Sequence, residues 1–163
     1  MIVALGLMGL EAARFRSARP VRPRPAQVSH PLGALEFQIL KLVNDQRTRI
    51  GQPPLAFSPG MTAAARAHSE DMAAHHYLGY DGPGGDTPAG RARAAGISYT
   101  EFAENVYADG VAGPETLAAR TIADWLASPA NRANLLSPHF RSSAVGLARA
   151  ADGSFYVTED FIR

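Results

Sequence analysis

Apolar residues recur along the chain at two spacings, and the change from one to the other divides it into elements. Leu35, Ile39, Leu42 and Val43 fall on one face of a helix, which Gly51 with Pro53 and Pro54 brings to an end. A second helix is predicted to open at Ser58, the hydroxyl capping free amides while Pro59 takes the first helical position, where a missing N–H costs nothing. Met61, Ala65, His68 and Met72 form its apolar stripe. Tyr80 to Pro88 is dense in glycine and proline, with Asp81 and Asp86, and reads as a surface loop. Thr87 to Ala95 reads as a short helix ended by Gly96.

The spacing then shortens. Phe102 to Ala108 predicts a strand, with Glu104 and Asn105 where a plain core strand would hold apolar residues; that local conflict is the mark of a functional position. Leu117, Ala118, Ile122 and Trp125 predict a helix over 114–127, and Ser128 with Pro129 caps and opens a further short helix to Leu136. Ser143 to Arg149 and Ser154 to Ile162 flank Ala151, Asp152 and Gly153, the wording of a hairpin turn. Helices first, then a strand, a helix and a terminal hairpin, make the fold class α+β.

Composition narrows the picture. With 163 residues, 46% of them hydrophobic, the chain suits one core. The formal charge of +1 hides an asymmetry, because Arg14, Arg16, Arg19, Arg22 and Arg24 stand in the leader against Glu11 alone. Removing them from the totals of 16 basic and 15 acidic residues leaves 11 against 14, so no basic face is offered to nucleic acid. Cysteine is absent, which excludes disulfides, thiolate metal sites and a cysteine nucleophile. Met1 to Leu10 is apolar or glycine but half the length of a membrane span, and reads as part of an export signal or anchor, or as a plain apolar end. Phe15 to Pro31 alternates arginine with proline and reads as an extended linker. The expected division is therefore residues 1–31 as leader and linker, and 32–163 as the folded domain. Any membrane contact is expected only through the N-terminal segment.

The order of the segments and their wording resemble the cysteine-free bacterial branch of the CAP family, the cysteine-rich secretory, antigen 5 and pathogenesis-related proteins with SCP-like domains. The resemblance rests on Asn44 to Arg47, Pro54 with Leu55, the run from Ala67 to Ala73, Thr87 with Pro88, and Glu104, Asn105, Val106. It continues through Trp125 to Ser128, Arg132 with Asn134 to Leu136, Val145 with Gly146, and Tyr156 to Phe161. It implies a three-layer α/β/α sandwich around a small antiparallel sheet, and a secreted, extracellular or envelope-attached protein. It also implies a cleft in which many members carry two histidines and acidic residues able to hold a divalent metal. Glu104 matches the family's strand glutamate, whereas Tyr80 and Asn131 stand where the two histidines are usual.

A phenol and a carboxamide are poor zinc ligands, so no metal set is assigned and no cofactor is expected. Glu104 is read as a structural acceptor for backbone amides or Arg132, or as a ligand contact; Asn105 is expected to bond to backbone. His68 lies in the apolar stripe and suits a hydrogen-bonded residue of the core or cleft edge, while His75 and His76 are read as solvated and His139 as a loop residue. His68, Asp71 and His75 share helical spacing, but a metal site there is the lesser reading. Trp125 is read as a core anchor. No serine carries a nucleophile-elbow pattern, so no catalytic residue is assigned, and Glu101 and Glu104, three apart on a strand, face opposite ways. The expectation is a non-enzymatic binding module whose cleft of Glu104, Tyr80, Asn131 and His68 contacts a small molecule, lipid or cell-wall fragment. A hydrolase working around Glu104 and a purely structural interaction domain are the alternatives.

Overall fold

The computed structural model describes residues 32–163. The readings of Met1 to Leu10 and of the arginine and proline linker lie outside the described residues. Five helices and four strands follow in the order α1 (Gly33–Arg49), β1 (Ala56–Phe57), α2 (Pro59–His75), α3 (Pro88–Ala94), β2 (Phe102–Asp109), α4 (Pro114–Ala127), α5 (Pro129–Leu136), β3 (Ser142–Arg149) and β4 (Phe155–Ile162). The sheet order is β1-β3-β4-β2. β2, β3 and β4 are antiparallel, as expected. The two-residue β1 adds a parallel edge beside β3, which makes the sheet mixed. Two residues are too few to leave a periodic signal, so that edge has no trace in the sequence.

Alternation along the strands sorts residues to two sides. Val145, Leu147, Phe155, Val157 and Phe161 point toward α1, α4 and α5, where they meet Ile39, Val43, Leu117, Trp125 and Leu135 in the main apolar core. Trp125 is fully buried, and its indole Nε1 donates to the Val106 carbonyl at 3.1 Å. That bond joins α4 to β2, the outer strand of the sheet. Asn134 Nδ2 of α5 donates to the neighbouring outer carbonyl, that of Glu104, at 3.4 Å.

The other side is lined by small residues, and α2 lies on it. Ala144 packs with Met61 and Ala92, and Ala148 with Met72. Between them Gly146 lets the helix backbone touch the sheet, since a Cβ there would sit 2.1 Å from the Ala65 carbonyl carbon. Ser69 fixes the contact: its hydroxyl donates to Gly146 O at 2.9 Å and lies the same distance from Thr158 Oγ1. Arg47, 0% exposed, ties α1 to the far end of α5: its Nη1 donates to Leu135 O (2.9 Å) and Ser137 O (2.8 Å), and its Nε to Pro53 O (3.0 Å).

The local signals behave mostly as their chemistry requires. Ser128 Oγ accepts from Asn131 N, and Thr87 Oγ1 accepts from Gly90 N at the start of α3. The 151–153 turn closes on Gly153 at φ +93°, a conformation other residues adopt only with strain, with Asp152 Oδ1 accepting from Ser154 N. Ser58 departs from expectation. It occupies the N-cap of α2, but its side chain makes no capping bond. Its backbone N–H instead continues the β1 ladder to Ser143 O, so the residue serves the strand before it as much as the helix after it.

Candidate functional site

Four residues singled out in the sequence come from four separate segments; Glu104, His68 and the Tyr80 loop meet on the α2 side of the sheet, and Asn131, from α5 on the other side, joins them through the Tyr80 hydroxyl. Glu104 is the third residue of β2, and the alternation of that strand turns its side chain toward α2. His68 lies in the middle of α2, Tyr80 in the glycine-rich loop that follows, and Asn131 in the first turn of α5. Tyr80 OH donates to Asn131 Oδ1 at 3.4 Å, a long bond. His68 Nε2 lies 2.9 Å from Gly79 O and 3.5 Å from Glu104 Oε1. A carbonyl only accepts, so Nε2 carries the proton. Burial, with the Arg91 charge added to it, lowers the His68 pKa and favours the neutral ring. Its Nδ1 is buried and has no partner among the described residues.

Two further residues complete the site. Arg91, on α3, places Nη2 between both oxygens of Glu104, 3.1 and 3.0 Å away, and the same nitrogen donates to Tyr80 O at 2.7 Å. Its Nη1 donates to Asp86 Oδ2 at 2.8 Å, so one guanidinium binds the loop, α3 and β2 together. The expected partner of Glu104 was Arg132 or backbone; the guanidinium comes from Arg91, because α3 and not α5 packs against that face of β2. The second residue is Asp160, directly opposite Glu104 in the β2–β4 register and 3% exposed. Burial raises the pKa of both carboxyls; Arg91 opposes the shift at Glu104, while Asp160 is pushed further up by Glu104 itself. A carboxyl pair so placed holds one proton between its members more readily than two negative charges.

Asp160 carried the same signal as Glu104, a charge inside a strand of apolar residues. Arg91 carried none, because an arginine on a short surface helix is ordinary. Asn105 turns to the opposite side of the sheet, where Nδ2 donates to Asn131 O at 3.0 Å and Oδ1 accepts from Asn134 Nδ2 at 2.9 Å. It thus holds Asn131 from behind through backbone, as expected.

The remaining candidates stay apart. His75 and His139 are exposed and lie beside Asp71 and Glu101; His76, also exposed, ends α2 in a left-handed conformation. His68 is buried against Gly79 O and Glu104 while His75 turns to solvent, so the helical His68, Asp71, His75 set does not converge. Among the described residues no group of three or more His, Asp and Glu side chains is arranged to hold a metal ion. At the cleft the donors do not suit zinc either: a phenol, a carboxamide, and a carboxylate already engaged at both oxygens by a guanidinium.

The model of the cysteine-rich secretory protein family, CAP, matches residues 40–161. The chain belongs to the CAP family. YkwD, an uncharacterized protein of Bacillus subtilis strain 168, is 32% identical over 138 residues, which are 85% of this chain and 49% of that protein. The chain thus spans about half the length of this curated CAP relative. An extracellular protein of Bacillus anthracis containing an SCP domain superposes with a TM-score of 0.68 at 30% identity, over 80% of this chain and 41% of that one. An outer surface protein of Borrelia burgdorferi reaches 0.72 at 12% identity, over 82% and 96%, a likeness of fold alone. This CAP domain is of the bacterial, cysteine-free type.

Proposed function

We propose that this CAP domain is a non-enzymatic binding module working outside the cell or at its envelope, with its ligand at the mouth of the cleft formed by Tyr80, Glu104 and Asn131. The observation that carries the reading is the guanidinium of Arg91 on both oxygens of Glu104. The positive charge of the cleft is supplied by the chain, and the glutamate that would face a metal is already neutralised. No activated nucleophile accompanies it. Ser69, beside His68, spends its hydroxyl on Gly146 O and Thr158 Oγ1 deep in the α2 contact. The extracellular setting draws support from the Bacillus anthracis relative described as an extracellular protein.

The facing carboxyls of Glu104 and Asp160 are the feature that a hydrolase reading would use. Both are buried beneath Arg91, which leaves little room for a scissile bond. Casein, RNA, DNA and simple esters are therefore expected to survive incubation with pure protein. Activity that co-purifies at constant specific value and vanishes in Glu104→Gln would establish the hydrolase instead.

Thermal shift against lipid vesicles and cell-wall fragments tests the binding reading. At least one class is expected to raise the melting temperature, with the rise abolished in Tyr80→Ala and in Asn131→Ala and unaffected by chelator. Absence of any shift would leave a purely structural interaction domain.

A further inference from the structure

Resting on the binding reading for its purpose, we infer that residues 78–86 form a strap over the interior of the cleft, which opens as a unit while the rest of the domain stays folded, with Arg91 as its catch. The chain is fastened on either side of this segment. Before it, Tyr77 packs on the cluster that contains Met72 and Ala73 and donates its hydroxyl to Asp71 Oδ2 at 2.6 Å. After it, the Thr87 hydroxyl caps α3 by accepting from Gly90 N, and Ala92 of that helix is fully buried with Met61 and Ala144. Between these anchors the attachment is sparse. The bonds that residues 78–86 make from main chain to main chain are internal, Gly82 N to Asp86 O and Gly85 N to Gly82 O, each at 2.9 Å. Leu78 and Tyr80, 55% and 45% exposed, belong to none of the buried apolar clusters.

Among the described residues, three side chains outside the strap hold it by hydrogen bonds. His68 of α2 donates from Nε2 to Gly79 O at 2.9 Å, and Arg91 of α3 donates to the next carbonyl, Tyr80 O, at 2.7 Å and to Asp86 Oδ2 at 2.8 Å. The third is Asn131, through the 3.4 Å bond from the Tyr80 hydroxyl. Arg91 is itself fixed to β2 by both oxygens of Glu104, so two consecutive carbonyls are gripped by one imidazole and one guanidinium. The strap also coheres within itself. Gly82 lies so close to Asp86 that a Cβ there would meet its carboxylate oxygen at 1.9 Å, and the same Asp86 closes the turn back to Gly82 N. A segment with its own internal bonds, few outward ones and no share of the core opens at a cost well below that of global unfolding. Behind these contacts lie His68 and Glu104, 0% and 6% exposed, with Asp160 opposite Glu104 at 3%. A ligand at the closed surface meets Tyr80 and Asn131, and reaches the carboxyl pair only when the strap lifts.

The test is carbethoxylation of histidine in the full chain by diethyl pyrocarbonate near neutral pH, read residue by residue with mass spectrometry over a series of urea concentrations below the unfolding transition. His68 reacts only when it is uncovered, while the exposed His76 and His139 report the reagent itself. In the parent, His68 is expected to react at least about a hundredfold more slowly than His139, at a rate that stays within about twofold as urea rises, the mark of a local opening that exposes little surface. Arg91→Ala should speed His68 by about tenfold or more and leave His139 unchanged. Val111→Ser, on an exposed turn beyond the end of β2, should react as the parent does. A His68 rate equal to that of His139 would mean that no closed strap exists. A His68 rate that climbs with urea along the global unfolding curve would mean that the cleft opens only when the domain unfolds. An unchanged His68 rate in Arg91→Ala would remove Arg91 as the catch. Each of these overturns the inference, and the urea series on the parent decides alone should Arg91→Ala not fold. All rates are those of the free chain, so local opening in a protein that answers to no lipid or wall fragment would support the strap and sink the binding module, whereas thermal shifts without local opening would do the reverse.

Discussion

On the side of α1, α4 and α5 the sheet buries Trp125, Phe155, Phe161, Leu147 and Leu135, side chains large enough to fill the space between layers at ordinary spacing. On the side of α2 it presents Ala144, Gly146 and Ala148, and the helix backbone descends onto the strand itself. The first side obtains its cohesion from apolar area. The second obtains it from fit and from hydroxyl bonds such as those of Ser69, and the same close approach brings His68 down onto the Glu104 carboxylate. A polar cleft can be built where α2 lies low because its members then reach one another without crossing an apolar layer. Each side nevertheless holds buried ionisable groups. The apolar side contains Glu159, fully buried, with Oε1 accepting from Ser143 Oγ, and Arg47, whose Nη2 has no partner among the described residues.

The two sides should fail differently, and the largest effects test that. Trp125→Ala removes a fully buried indole and orphans the Val106 carbonyl; a loss of about 3–5 kcal/mol in urea unfolding is expected. Gly146→Ala adds one methyl group and should cost about 3 kcal/mol or prevent soluble folding, because its neighbour is backbone 2.1 Å away and not the flexible end of a side chain. A cost under about 1 kcal/mol for Gly146→Ala would mean that α2 is free to rise, and the contrast between the sides would collapse.

Glu159 supplies a test of comparable size. Burial raises its pKa to about 8, against the opposing influence of Ser143 and Arg47, from an ordinary value of 4.5. The folded protein therefore keeps a proton that the unfolded chain has lost, so this contribution to stability is complete below about pH 4.5 and is lost as pH rises to about 8. Relative to the parent, Glu159→Gln should gain on the order of 4 kcal/mol between pH 5 and pH 8.5, read as the difference of the two urea midpoint curves. Parallel curves would show that Arg47 holds Glu159 ionised throughout.

Much of this layout was legible in residue order. Apolar spacing marked the helices, the serine and proline pair at 128–129 placed a boundary, and Asp152 with Gly153 announced the hairpin, because each depends on neighbours in the chain. Glu104 was visible as a misfit. Its partners were not, since Arg91 reaches it only through the packing of α3 on β2, and Asp160 only through strand register. Arg47 was part of a familiar wording, yet its purpose depends on carbonyls 88 and 90 residues away.

The cleft itself gives the two smaller tests. Tyr80→His with Asn131→His would place two imidazoles beside Glu104, and a one-to-one zinc site is expected by calorimetry, at least about tenfold tighter than in the parent and abolished by Glu104→Ala. Either single change should do much less. Binding should stay modest because Arg91 continues to occupy the carboxylate; equal binding by parent and double variant would show that the parent already holds the ion through other groups. The smallest effect belongs to Tyr80→Phe, which removes only the 3.4 Å bond to Asn131 and should alter stability by less than about 0.5 kcal/mol.

The bonds from Trp125 and Asn134 to the outer carbonyls of β2 bear on association between molecules. An eight-residue strand at the margin of a sheet is a template onto which another chain can add, and repeated addition leads to fibrils. Here two acceptors at the centre of that template are already taken, by an indole and a carboxamide of the chain's own helices, and the opposite margin is a strand of only two residues. Trp125 is therefore a guard against self-assembly as well as a core residue, and loosening α4 would uncover the template at the moment the core is lost.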